Sequence, residues 1–348
     1  MASYLSRIVA VSCAVNTTGT YGGGTSPAMS SCIHQFRNTT PIQMDTDLVN
    51  LQELRQSMSK SSDAVGRQLY RLTPGLVAIG IGNATSAIPG TVESPKFRLG
   101  RILRMCGMSE SASSGSSSLT YTFRSSGFED GLIEVQRADV GSTALLYKLK
   151  GVYGTFTMAG SAGQVITIDP TLTGVISAQP AVGTAQTITS SHFQTAGNTS
   201  QTMKQEGLSI TTSSGATTSP TPSAPNAAIK FKSFSLDAGI DVQEDKDANA
   251  TDALFGLLIA GRSPTLQLTV GMDSSIVSQF YTDLNSGFNQ TISFTHGTAV
   301  GKRMQVIAKG QLSNVTMADD VGLVTLQLQY NLAVGTDSDD SELTIVFT

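Results

Sequence analysis

The chain is expected to be all-β with a minor helical component, and three observations carry that expectation. Only 14% of its residues are charged, against roughly a quarter in an average globular chain, and Gly, Ser, Thr and Ala fill the difference. Thr, Val and Ile alternate with other residues in LTYTF from Leu119, GLIEV from Gly131 and LVTLQLQYNLAV from Leu323, the period of a half-buried strand. The third is an internal echo: KGVYGTFTMAGSAGQV, starting at Lys150, returns as KGQLSNVTMADDVGLV, starting at Lys309. At one constant offset the copies share Lys150 with Lys309, Gly151 with Gly310, Thr157, Met158 and Ala159 with Thr316, Met317 and Ala318, Gly163 with Gly322, and Val165 with Val324. Self-similarity at one long spacing marks a duplicated folding unit. At 348 residues the chain is long enough for two domains, each burying its own core.

The first domain is expected over residues 1–177, with an N-terminal arm. Arg7 followed by IVAVSCAV has too short an apolar run and too little positive charge for a cleaved signal, so it reads as an arm or edge strand. YGGGTSP from Tyr21 lacks the Lys-Ser/Thr ending of a phosphate-binding loop and reads as a flexible turn. A strand, TPGLVAIGIG from Thr73, leads to a helix, SPKFRLGRILRMCG. There Ser94 caps, Pro95 suits the first turn, Leu99, Ile102, Leu103 and Cys106 share one face, and Gly107 ends it. Strands come next, through the first copy of the echo.

Residues 178–226 are expected to be a linker. Between Ala178 and Asn226 only Lys204 and Glu206 are charged, and the segment ends TTSSGATTSPTPSAPN, which can bury little apolar surface; Gly207 to Thr212 can add an edge strand. The second domain, residues 227–348, repeats the order. Its acidic stretch from Asp237 to Asp252 reads as a solvated loop, because its carboxylates follow no calcium-binding register and Lys246 sits among them. The strand SPTLQLTVG from Ser263 precedes a helix, DSSIVSQFYTDLNSG. Asp273 or Ser274 caps it, Ile276, Val277, Phe280, Tyr281 and Leu284 form its buried stripe, and Gly287 terminates it. TDSDDSE, from Thr336 to Glu342, joins two strands and reads as a polar hairpin or a solvent-facing loop.

Composition narrows the function. A net charge of −4 without a dense Lys/Arg run argues against a primary nucleic-acid-binding role, which needs clustered positive charge; DNA as passing cargo would call for a wall free of basic patches. Cys13, Cys32 and Cys106 are too few and scattered for a disulfide framework or a CxxC metal site. His34, His192 and His296 lack spaced partners, and no GxSxG, HExxH or EF-hand spacing occurs. No catalytic residue, cofactor or metal is therefore expected, and no enzymatic activity. No apolar run approaches the roughly 18 residues that span a bilayer, so no membrane partner is expected.

In the first half, SPKFRLGRILRMCGM, SLTYTFRSS and LKGVYGTFTMAGSAGQVITIDPTLTGVISA, and in the second FKSFSLDAGIDVQEDKDANATDALFGLLIAGRSPTLQLTVGMD, resemble the major tail tube proteins of long, flexible, non-contractile phage tails. The shared features are a short helix ending in a Cys-Gly pair before a TYT-like strand, a KGxxGTFT hairpin, and an Arg-x-Pro start to a strand after a long loop. The resemblance covers roughly residues 45–177 and 227–348. It implies two tandem tube-like β-sandwich or β-barrel domains, each flanked by one helix, in a structural virion protein made in the host cytoplasm. It further implies rings that stack into a tube for DNA delivery, and as partners the tape measure protein, the tail terminator and distal tail proteins. Relatives with one domain form hexameric rings, so a tandem chain is expected to form a trimeric ring with pseudo-sixfold symmetry, with a hexamer as the alternative.

Assembly is also expected on physical grounds. Long Thr/Val-rich strands with few charges leave edges that aggregate unless paired, covered or closed, and head-to-tail contacts that close by rotation turn that hazard into a ring. Two long polar loops that precede the proline-led strands are candidates for contact between successive rings: Asn50, Glu53, Arg55, Lys60 and Asp63 in one, and Asp241, Glu244, Asp245, Lys246, Asp247 and Asp252 in the other. The alternative reading is a capsid decoration, fimbrial or adhesin-type structural protein, although with no Trp and 6% aromatics stacking on carbohydrate is poorly provided for.

Overall fold

The computed structural model of the chain describes residues 4–16, 18–24, 27, 42–49, 64–78, 98–112, 118–139, 143–184, 205–212, 230–247, 249, 254–271, 274–297, 303–320, 322–333 and 340–348. The protein is all-β with two helices among the described residues. The strands are β1 (Tyr4–Val15), β2 (Ile42–Val49), β3 (Ala64–Leu72), β4 (Leu76–Val77), β5 (Met108–Ala112), β6 (Leu119–Phe123), β7 (Gly131–Asp139), β8 (Thr143–Ser161) and β9 (Thr167–Thr184) in the first half. The second half holds β10 (Gln205–Thr212), β11 (Phe231–Asp237), β12 (Ile240–Asp245), β13 (Gly256–Arg262), β14 (Thr265–Gly271), β15 (Asn289–His296), β16 (Met304–Asp320), β17 (Leu323–Leu332) and β18 (Leu343–Phe347). Helix α1 (Arg98–Met105) precedes β5 and helix α2 (Ser274–Ser286) precedes β15.

The echo in sequence is an echo in pairing. β1 pairs with β7, β7 with β8 and β8 with β9 in the first half; β10 pairs with β15, β15 with β16 and β16 with β17 in the second, every ladder antiparallel. The halves then join edge to edge. β11 lies between β8 and β14, and the last strand, β18, pairs with β6 of the first half, so that sixteen strands share one sheet, with β12 and β13 as a separate hairpin. Instead of two cores, one continuous cluster holds Phe156 and Met158 of the first half with Phe234, Leu236, Leu268 and Leu328 of the second, all nearly inaccessible. Each such side chain contributes roughly 1.5–3 kcal/mol by leaving water.

The segment 178–226 is less of a linker than its composition suggests. β9 runs on into it as far as Thr184, because Ala181 and Val182 find partners in Leu146 and Leu145. β10 forms within it as an edge strand on β15, so the second half's sheet begins before residue 227. Local polarity sets no limit on a strand whose main chain has a ladder to join.

Helix α1 buries Leu99, Ile102 and Leu103 as its period demands, Cys106 is buried in the turn that follows, and Gly107 in that turn has φ +72°; Ser94 and Pro95 lie outside the described residues. The apolar stripe is not its whole interface, since Arg101 and Arg104 are buried as well, Arg101 Nη1 donating to the Cys13 carbonyl of β1 at 3.0 Å. Helix α2 buries Phe280 and half-buries Val277 and Leu284, and Gly287 ends it at φ +65°. Tyr281, expected in the buried stripe, is 38% exposed, because the packed face is narrower than the run of apolar residues; Asp273 lies outside the described residues. Within β8 the ladder shifts register near Gly151, whose φ of +59° and close approach to the Tyr21 ring leave no room for a Cβ.

Candidate assembly interface

The chain already contains one junction between like units, and it is built in three layers. The first is main chain: Thr157–Ser161 of β8 pair with Ser233–Asp237 of β11, with Met158 opposite Leu236. At the ends of this ladder Ala162 N donates to the Lys232 carbonyl at 2.7 Å and Ala238 N to the Phe156 carbonyl at 3.0 Å. Met158 and Leu236 are both fully buried.

The second layer is the β12–β13 hairpin, which folds back over the first half. Ile240 and Val242 alternate with Asp241 and Gln243, so one face is apolar. Leu254 and Leu257 complete a small cluster with Leu69 and Tyr153 of the first half, against which Tyr21 packs. The Tyr21 hydroxyl donates to the Gly151 carbonyl at 2.9 Å and accepts from Leu257 N at 2.9 Å, and its ring stacks on Tyr153 at 6.3 Å. Burial pushes the Tyr21 phenol well above its ordinary range, so it remains a neutral donor. The turn beside it is held by Asp130, which accepts from Gly22 N and from Asn16 Nδ2, each at 2.9 Å. The Tyr21 segment is thus pinned rather than flexible, because partners distant in sequence satisfy its polar groups.

The third layer is ionic. Arg262, at the end of β13, donates from Nε to Glu342 and from Nη2 to Asp340 at 2.7 Å, and from Nη1 to the Arg124 carbonyl at 2.8 Å. Its guanidinium lies 5.1 Å from the Phe123 ring centroid, within cation–π range. Ser125 N and Oγ donate to Asp340 in turn. Desolvation opposes ionisation of Asp340, but the hydrogen bonds from Ser125 and Arg262 outweigh it and hold its carboxyl below the usual range. Glu342 is 5% exposed. The polar connection read as solvent-facing therefore carries two carboxylates that fasten the halves together. A cavity of about 500 Å³, lined in part by Phe128, Ile259, Arg262 and Glu342, lies beside them.

The loop candidates divide. Asn50, Glu53, Arg55, Lys60, Asp63 and Asp252 lie outside the described residues. Asp241, Glu244 and Asp245 stand on strand β12 rather than on a solvated loop, because the alternation of Ile240 and Val242 gives the segment a face to bury. Glu244 turns back to pair with Arg67 of β3 and lies 3.9 Å from Lys246. Asp241, Asp245 and Lys246 are exposed on the outer side, near the exposed Phe255 and Leu258. Asp247 accepts from Asn249 N at 2.9 Å.

Cys13 and Cys106 are both buried, and burial pushes the Cys106 thiol up, which leaves it unreactive; Cys32, His34 and His192 lie outside the described residues. No group of three His, Cys, Asp or Glu that could hold a metal occurs among the described residues, and no helix there is long and apolar enough to cross a membrane.

His296, on β15, packs 5.3 Å from the Phe234 ring and 5.4 Å from the Phe294 ring, and its Nε2 has no hydrogen-bond partner among the described residues. Desolvation lowers its pKa to about 4. The unfolded chain, with histidine near 6.5, binds the proton first, so stability is full above about pH 6.5 and drains away as pH falls towards 4, by on the order of 3 kcal/mol. Urea titrations between pH 7 and 4 should show this slope, and His296→Phe should flatten it.

No protein-family model matches the chain, and no curated protein matches it either.

Proposed function

We propose that the chain is a structural virion protein that assembles into stacked rings, forming a phage tail tube through which DNA passes. The observation that carries this reading is the edge-to-edge union of two units with the same strand pairing, β8 to β11. A unit that adds to its neighbour along one edge, and repeats, closes into a ring by rotation. With two units per chain, a ring of three chains has pseudo-sixfold symmetry; a ring of six is the alternative. The motif resemblance in both halves supports the same class, and with it the tape measure, terminator and distal tail proteins as partners. A net charge of −4 suits a wall along which DNA slides without being held. In this reading the outer side of the β12–β13 hairpin, with Asp241, Asp245, Lys246 and Asp247, faces the next ring, and the chain performs no catalytic step.

Electron microscopy of the concentrated protein, with averaged end-on views, tests the proposal. Stacked rings with an open lumen and three chains per ring are expected. Six chains per ring would keep the function and discard the trimer. Dispersed monomers that persist when a tail-tip initiation complex is supplied would overturn it.

A further inference from the structure

The two copies of the repeat are alike in sequence and unlike in surroundings. β9 lies along one side of β8; on the other, β7 runs beside Ala144–Val152 and β11 takes over at Thr157–Ser161. β16 has β18 and β17 on one side and β15 beside Met304–Gln311 on the other. Beyond Gln311, on the β15 side, no strand lies against β16 among the described residues. Among the described residues, the place that β11 fills on the first unit is open on the second.

Burial records the difference at a single repeat position. Met158 is 0% exposed and its counterpart Met317 is 50% exposed. Met317 does not simply point to the wet face, because its cross-strand partner Leu326 is fully buried and directly opposed residues share a face. It is exposed because no described strand lies on its outer side. Leu323 and Val324, at the same hairpin tip, are 66% and 51% exposed. The main chain repeats the pattern. The β8 groups that face β11 belong to alternate residues from Phe156 to Ala162, as the bonds from Ala162 N and to the Phe156 carbonyl show, and the repeat puts Val315, Met317 and Asp319 in those positions. A strand edge with no ladder partner among the described residues, next to an apolar side chain, is a template for another strand.

We propose that the edge of β16 from Val315 to Asp320 is the seam that takes a second copy of this chain. The incoming copy's first half supplies a strand that pairs with β16 as β11 pairs with β8, and covers Met317 as Leu236 covers Met158. The junction inside the chain identifies the occupant: there the covering strand comes from the next unit along, and the next unit after the second is the first unit of another copy. The contact is heterologous, so each copy uses one such edge and the series closes by rotation. The location of the seam rests on the ring reading above.

Met317→Asp, Met317→Cys and the wild type test it by sedimentation velocity and microscopy across a concentration series. The aspartate sits at a half-exposed position, so the monomer should melt as the wild type does. Burying its charge between strands should raise the concentration for half-association at least tenfold. In the cysteine variant, maleimide should label the dilute monomer and react at least tenfold more slowly in the oligomer. A wild type that stays monomeric at every concentration, an aspartate variant that associates like wild type, or a cysteine that stays reactive in the oligomer would overturn the seam. Tubes that survive Met317→Asp would keep the tube reading and sink the seam. Closed oligomers abolished by Met317→Asp, but lacking a lumen and never stacking, would keep the seam and sink the tube.

Discussion

Alanine in place of Met158 is expected to cost about 3 kcal/mol of folding stability, while alanine in place of Met317 costs less than about 0.5 kcal/mol. The two residues occupy one position in the repeat, between the same Thr and Ala, so propensity and local sequence cancel in the comparison. What differs is the neighbour. Met158 is sealed between Ile168 of β9 and Leu236 of β11, and its removal leaves a cavity in a core that relaxes only in part. Met317 already faces solvent. Urea denaturation of both variants in dilute solution, where association contributes nothing, measures the difference, and equal losses would mean that the two environments are the same. At assembling concentrations the ranking should change, because Met317 then acquires its missing neighbour.

The second large effect is expected at Arg262. Replacing it with methionine keeps much of the stem but leaves Glu342, 5% exposed, without its countercharge, and an unpaired buried carboxylate is the costly state. A loss of about 3 kcal/mol is expected in urea denaturation near neutral pH. The double variant Arg262→Met, Glu342→Gln should recover a large part of it, since the stranded charge is gone; a double variant no more stable than the single would assign the loss to packing against Phe123 instead. Acid acts on the same network with a definite sign. Asp340 has a folded pKa held below its unfolded value, so its contribution is complete above about pH 4 and disappears as pH falls through the folded value.

How far the sequence went can be read from particular residues. LTYTF, GLIEV and the run from Leu323 form β6, the start of β7 and β17; in β6 the period-two pattern buries alternate residues, whereas β7 is buried on both faces from Leu132 to Gln136. Gly107 and Gly287 end their helices at positive φ, a local requirement that glycine meets alone. The repeat predicted two like units, and β7–β8–β9 and β15–β16–β17 are like units. Tyr21 was not legible, because nothing near it announces that its hydroxyl will bridge Gly151 and Leu257. Asp340 and Glu342 looked like solvent-loving loop residues; their partner, Arg262, is distant in sequence.

Sequence alone thus determined the strands at Leu119, Gly131 and Leu323, the glycine that ends each helix and the repeated strand pairing, all of which depend on periodicity, turn chemistry and self-similarity within short stretches of chain. The tertiary structure alone decided that the two units share one sheet and one core, that the acidic segment at Asp241 is a strand clamped over the first half, and that one of two repeat-equivalent methionines is buried while the other is not. Those outcomes depend on which edges meet, and an alternating strand carries no mark of what will lie beside it.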